Sequence, residues 1–213
     1  MKSQTRWTIA VLAVVVALVA GLVMQLGGGD PQSGSGLSAR DRRDADTAEA
    51  LAGTRARAAL PPCPAPRAGA GPEALRGINL ECAGDGSRVD VAKALSGRTV
   101  VLNLWAYWCA PCAAELPAMA EYQQRAGADV TVLTVHQDEN ETAALLRLAE
   151  LGVRLPTLQD GRRLIAAALE VPNVMPATVV LRQDGSVAEI LPRSFATADE
   201  IAAAVDPGIG EPG

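Results

Sequence analysis

Two cysteines three positions apart, Cys109 and Cys112 in "LNLWAYWCAPCAAELP" (102–117), are the residues best placed to do chemistry. Trp105, Tyr107 and Trp108 come just before them, in a chain that is 3% aromatic. An apolar run precedes the pair and a helix-forming run follows it, so Cys109 falls at an expected helix N-terminus. Backbone N–H groups there lack partners and the helix dipole is positive, which stabilises a thiolate. A stabilised thiolate has a lowered pKa and attacks disulfides. Cys112 lies one turn further in, where its sulfur can reach the first and resolve a mixed disulfide. Pro111 has no N–H, which costs nothing in the first helical turn, and it fixes the local backbone. Trp108 can cover the pair and Trp105 can pack beneath it.

The rival readings are a metal clip and a structural staple. Cys63 and Cys82 lie too far apart in sequence to make the second of two short zinc knuckles. His136, the sole histidine, makes no ligand spacing with any cysteine and reads as a loop or rim residue. A redox pair that needs neither metal nor organic cofactor is therefore the reading carried forward.

The elements that must hold this pair read as an α/β pattern. "INLEC" (78–82) and "RVDV" (88–91) form a hairpin around "AGDG". "TVVLNLW" (99–105) is a continuous β-branched run suited to a buried parallel strand. A helix over 110–126, interrupted at Pro117, comes next, then a strand over 129–136. "ETAALLRLAELG" (141–152) is an amphipathic helix with a glycine stop. A short strand near Leu155 and a helix near 162–169 follow. "ATVVLR" (177–182) and "SVAEIL" (186–191) form a second hairpin, turning at Asp184-Gly185. A last helix over 198–205 is capped by Thr197. Strands alternating with helices, then a hairpin and a helix, imply a mixed sheet flanked by helices.

The N-terminal part differs. Trp7 to Leu26 carries no charge, and at ~1.5 Å per residue such a run spans a bilayer core of roughly 30 Å. Lys2 and Arg6 precede it, which by the positive-inside rule puts residues 1–6 in the cytoplasm and the bulk of the chain outside. A cleaved signal peptide is the rival, but its apolar region would be roughly 7–15 residues and end in an A-x-A-like site. Residues 27–74 read as an extracytoplasmic linker, Gly/Ser-rich first and Pro-rich at "PPCPAPRAGAGP" (61–72). Within it, residues 40–60 read either as a short helix anchored by Leu51 and Leu60 or as disordered. The folded domain is expected over 75–206, with a tail over 207–213. A net charge of -5 with no basic stripe excludes a nucleic-acid partner.

"WCAPC" after an apolar strand resembles the thioredoxin superfamily. "LECAGDGSRVDVAKALSGRTVVLNLW" and "VMPATVVLRQDGSVAEI" extend the likeness to its membrane-anchored, extracytoplasmic TlpA-like or ResA-like branch, over about 75–205. The resemblance implies a thioredoxin-like fold with an N-terminal β-hairpin and an extra αβ insertion. It implies Cys109 as nucleophile and Cys112 as resolving thiol. It also implies a cis Pro176 which, with Met175, Trp108 and Pro111, lines the substrate groove. Glu115, on the same helix face as Cys112, would tune the thiols and move protons, with Asn103 standing where ordinary thioredoxins carry a buried aspartate. The branch mostly reduces protein disulfides, apocytochrome c among them, with electrons from a membrane thiol-transfer protein. Ala113 departs from a basic residue common there, and Tyr107 from a smaller one. An oxidase or isomerase, and a non-catalytic anchored binding module, remain as alternatives. If 109–112 is the redox pair, Cys63 and Cys82 are left to form a structural disulfide, or else a second relay.

Overall fold

The segment Thr99–Trp105 has no polar face. Val100, Leu102 and Leu104 alternate with Val101, Asn103 and Trp105, and all seven residues are buried. A strand apolar on both sides must lie between two layers, and it is central to the structure. The structure is a computed structural model that describes residues 47–69 and 71–209. Their elements in chain order are α1 (Ala48–Ala58), a 3-10 turn (Glu73–Leu75), β1 (Asn79–Cys82), β2 (Arg88–Asp90) and α2 (Val91–Leu95). Then come β3 (Thr99–Trp105), α3 (Ala110–Ala126), β4 (Val130–His136), α4 (Glu141–Leu151), β5 (Thr157–Gln159) and α5 (Leu164–Ala168). The chain continues with β6 (Ala177–Leu181), β7 (Val187–Leu191) and α6 (Ala198–Ile209).

The strands form one mixed sheet in the order β2-β1-β5-β4-β3-β6-β7. β4 runs parallel to β3 and β5, and the other pairings are antiparallel. On one face Val101 and Trp105 pack with Cys112, Leu116 and Met119 of α3, Ala144 and Leu148 of α4, and Ile201 and Val205 of α6. On the other, Val100, Leu102 and Leu104 pack with Val91 and Leu95 of α2 and Ile165 of α5. This is the expected sheet with helices on both faces, with a leading hairpin β1–β2. The αβ insertion is α4 with β5, which docks between β4 and β1.

Several boundaries differ from the sequence reading. α3 runs unbroken through Pro117, where an interruption was expected. Pro117 removes one N–H, but the buried stripe Cys112, Leu116, Met119 and Tyr122 holds the helix to the sheet on both sides of it. β5 begins at Thr157 rather than near Leu155, because Pro156 has no N–H for the ladder. α6 is capped at Thr197, whose hydroxyl accepts from Glu200 N–H at 3.2 Å, and continues past Val205 to Ile209.

Part of the segment read as linker is folded. α1 starts at Thr47, whose hydroxyl accepts from Ala50 N–H, and it buries Leu51 and Ala58 against Ala83 and Leu145. Arg55 reaches across to the Ala83 carbonyl at 3.2 Å, the Glu141 carboxylate at 2.9 Å and Glu81. Among the described residues no helix is long and apolar enough to cross a membrane. The expected span at 7–26 and the residues before it lie outside the described residues.

Candidate active site

Cys109 is the N-cap of α3, with φ -82° and ψ 103°, and its sulfur accepts a hydrogen bond from Cys112 N–H at 3.2 Å. The cap position is usually filled by an oxygen-bearing side chain; here a sulfur takes that place. The two cysteines are joined as a disulfide with Cα atoms 5.3 Å apart. Cys112 is fully buried and Cys109 is 6% exposed, so Cys109 is the more accessible of the two. Trp105 is buried in the same apolar cluster as the pair. Trp108 is 57% exposed, and its indole N–H donates to Asp138 at 3.0 Å. Pro111 lies in the first turn of α3.

Three residues along α3 from Cys112 is a carboxyl. Glu115 has no solvent exposure. One oxygen accepts from the Asn103 side-chain amide at 2.8 Å, the other from Phe195 N–H at 3.0 Å. Burial pushes its pKa up to about 7, and the two hydrogen bonds pull partly against that rise. Asn103 on β3 and Glu115 on α3, linked in the sequence reading by the resemblance, are thus direct partners. Phe195, in the segment between β7 and α6, gave no sequence signal, because its contribution is a backbone N–H.

The Met175–Pro176 peptide is cis. Pro176 is buried, and Met175 packs on the cluster that holds Cys109 and Cys112. The strand end opposite is a finding the sequence did not offer. His136 is no rim residue. It ends β4, has no solvent exposure, and its ring centroid lies 5.0 Å from Trp105 and 6.0 Å from Tyr107. Its Nδ1 is 2.9 Å from Gln159 Oε1, and Tyr107 N–H points at its Nε2 at 3.4 Å. A polar ring is tolerated there because both nitrogens meet polar atoms and aromatic faces cover the carbons. Asp138, which holds the Trp108 indole, was also missed; its one signal is its place just past the end of β4.

A second disulfide joins Cys63 to Cys82, with Cα atoms 5.8 Å apart. It ties the Pro-rich segment to the end of β1, and Cys63 N–H donates to the Cys82 sulfur at 3.1 Å. Among the described residues no group of three or more His, Cys, Asp or Glu is placed to hold a metal ion.

Comparison with known proteins gives this arrangement relatives. The family profile described as Redoxin matches residues 62–204. The thiol-disulfide oxidoreductase ResA of Bacillus subtilis (strain 168) is 30% identical over 108 residues, which cover 50% of this chain and 59% of that protein. The chain thus spans about three fifths of the length of the curated relatives it matches. Among solved structures, a DsbF homologue from Corynebacterium diphtheriae is 28% identical with a TM-score of 0.54, covering 62% of this chain and 85% of that one. A secreted thiol-disulfide isomerase from Corynebacterium glutamicum is 25% identical with a TM-score of 0.56, covering 64% and 86%.

Proposed function

This chain belongs to the Redoxin family and has its thioredoxin-like fold, and from that premise we propose that it is a thiol–disulfide oxidoreductase that reduces disulfides in other proteins. The observation that carries the reading is the Cys109–Cys112 pair at the start of α3, with a buried carboxyl on the same helix, at Glu115.

The exchange follows from the positions. The Cys109 thiolate attacks one sulfur of the client disulfide and forms a mixed disulfide, and the client's other sulfur leaves as a thiolate. Cys112 gives up its proton toward Glu115 and attacks the Cys109 sulfur. The pair closes, and the second client sulfur is released. Two electrons pass from the pair to the client, and a dithiol donor returns them by the reverse exchange. Trp108, Pro111, Met175 and Pro176 rim the groove. Client backbone lies beside Met175 as an added extended segment. No metal or organic cofactor takes part.

The setting proposed is the outer face of the plasma membrane, with a single-pass anchor at 7–26 and a cytoplasmic N-terminus. There the donor is a membrane thiol-transfer protein, and apocytochrome c with an oxidised haem-binding pair is a fitting client. The support is the charge asymmetry around the apolar run and the resemblance to the anchored branch.

A second reading is isomerase or oxidase, favoured by the likeness to the C. glutamicum protein whose structure is described as a thiol-disulfide isomerase. Full-length protein in detergent is tested for insulin reduction with dithiothreitol as donor. Wild type is active and Cys109→Ser is not. A potential for the pair near about -270 mV fits a reductase, while one near about -120 mV overturns the reductive direction. No turnover by either form favours a non-catalytic binding module.

A further inference from the structure

Arg163 stands in an unusual backbone conformation. It is the N-cap residue of α5, with φ 57° and ψ 37°, in the left-handed region. A side chain with a Cβ is disfavoured there, because it comes too close to the following carbonyl oxygen. Asp160 holds it in place. Both carboxylate oxygens of this fully buried residue accept from α5, Leu164 N–H at 2.8 Å and Ile165 N–H at 2.9 Å. Its carbonyl accepts from Arg163 N–H at 2.9 Å. The capping task therefore falls on Asp160, and the position beside the helix start carries a long cation instead of a short cap.

The guanidinium joins two loops. Its Nε donates to Gln137 Oε1 at 3.2 Å and its Nη1 to Asn173 Oδ1 at 2.5 Å. Gln137 is fixed: it is buried just past β4, and its N–H donates at 2.8 Å to the carbonyl of Trp105, the last residue of β3. The turn that carries Cys109 leaves from that strand end. Asn173 is exposed and lies in the stretch that leads into the cis Met175–Pro176 bond. Val174 beside it is 45% exposed. The stretch follows Glu170, itself left-handed with φ 54°.

The geometry points to Arg163 as a positioning residue that fixes the 173–175 stretch against the strand end bearing the Cys109 turn, and so sets how well a protein disulfide is held. The inference rests on the thiol–disulfide reading. A client embedded in a chain must align its backbone beside Met175 while its sulfur meets Cys109. A small disulfide needs only the sulfur. Arg163 therefore acts on protein clients and leaves the attack itself alone. A planar guanidinium can donate to both loops at once, which a lysine ammonium on a flexible stem does poorly.

The test compares full-length wild type, Arg163→Ala, Arg163→Lys, Asn173→Ala and the Arg163→Ala/Asn173→Ala double variant. The substrates are insulin and the small aromatic disulfide DTNB. Losing a hydrogen bond to a charged group predicts a rise in KM for insulin of about 5–10-fold in each single variant. kcat stays within about twofold, and DTNB rates do not change. The double variant is no worse than Arg163→Ala alone, because that change already removes the one bond that Asn173→Ala removes. Amide hydrogen exchange at Val174 and Met175 rises in Arg163→Ala and Asn173→Ala whatever the activity. An unchanged insulin KM, additive effects, a parallel fall with DTNB, or unchanged exchange at those amides overturns the positioning role. A wild-type protein that reduces neither substrate overturns the thiol–disulfide reading and this inference with it.

Discussion

A carboxyl with no solvent exposure is held closer to neutral than a surface glutamate, even against the pull of two hydrogen-bond donors. For Glu115 the folded value is about 7 against an ordinary 4.5. The native state therefore binds more protons than the unfolded state between those values, and stability falls as pH rises through that window. The full contribution, present below about pH 4.5 and lost by about pH 7, is on the order of 3 kcal/mol. Glu115→Gln keeps the shape and the Phe195 contact but removes the titration. The stability difference between wild type and Glu115→Gln, from urea unfolding at pH 5 and pH 8, should shift in favour of the glutamine form at the higher pH. The same variant tests the proton role. An ionised carboxylate raises the pKa of a nearby thiol, so in the reduced protein Glu115→Gln lowers the apparent thiol pKa and removes the step near pH 7 from the alkylation profile. A profile identical to wild type would leave Glu115 a purely structural acid.

At the scale of elements, β3, α3 and β4 were legible because their signals are local. A continuous β-branched run, a helix opening at a cysteine-proline motif and an alternating strand each carry their own evidence. Cys109 and Cys112 were legible for the same reason, whereas Asn103 and Glu115 came into view only through the resemblance to the family. What the sequence could not supply were partners set by tertiary contact. His136 reads as a rim residue until Trp105 and Tyr107 are seen to cover it. α1 is alanine-rich, mixed in charge and weakly amphipathic, so its place is decided by residues far along the chain. Arg55 is the main one. Its contact with Glu81 is half exposed and contributes little, but its contact with Glu141 on α4 is buried. Arg55→Ala deprives that carboxylate of its guanidinium and should cost about 3 kcal/mol. Arg55→Ala/Glu141→Ala should lose less than the sum of the single changes, because neither charge is then left behind. Additive losses in urea unfolding would mean that the Arg55–Glu141 pair does not tie α1 to α4.

For the molecule as a whole, the two disulfides must differ in behaviour if one works and the other holds. Burial does not single out 109–112 as the pair that opens: Cys82 and Cys112 are both fully buried, Cys109 is nearly so, and Cys63 is half-buried. A hydrogen bond to sulfur does not rank them either, since Cys82 and Cys109 each accept one from a backbone N–H. The helix separates them. A Cys109 thiolate leaves into the positive end of α3, which lowers its pKa and makes it the better leaving group. Neither Cys63 nor Cys82 begins a helix. Loop length acts in the same direction. Cys63–Cys82 closes about 20 residues and stabilises the fold by roughly 3 kcal/mol on the chain-entropy estimate, while it ties the segment that follows α1 to the sheet. Graded reduction of the full-length protein with alkylation and mass mapping should therefore open 109–112 first, with 63–82 surviving until the fold is lost. Cys63→Ser/Cys82→Ser should melt roughly 6–12 °C lower, as about 3 kcal/mol does in a domain of this size, and should still reduce insulin. If 63–82 opens first, or if its removal abolishes turnover in a folded protein, the division into a working pair and a staple fails and a relay between the two pairs takes its place.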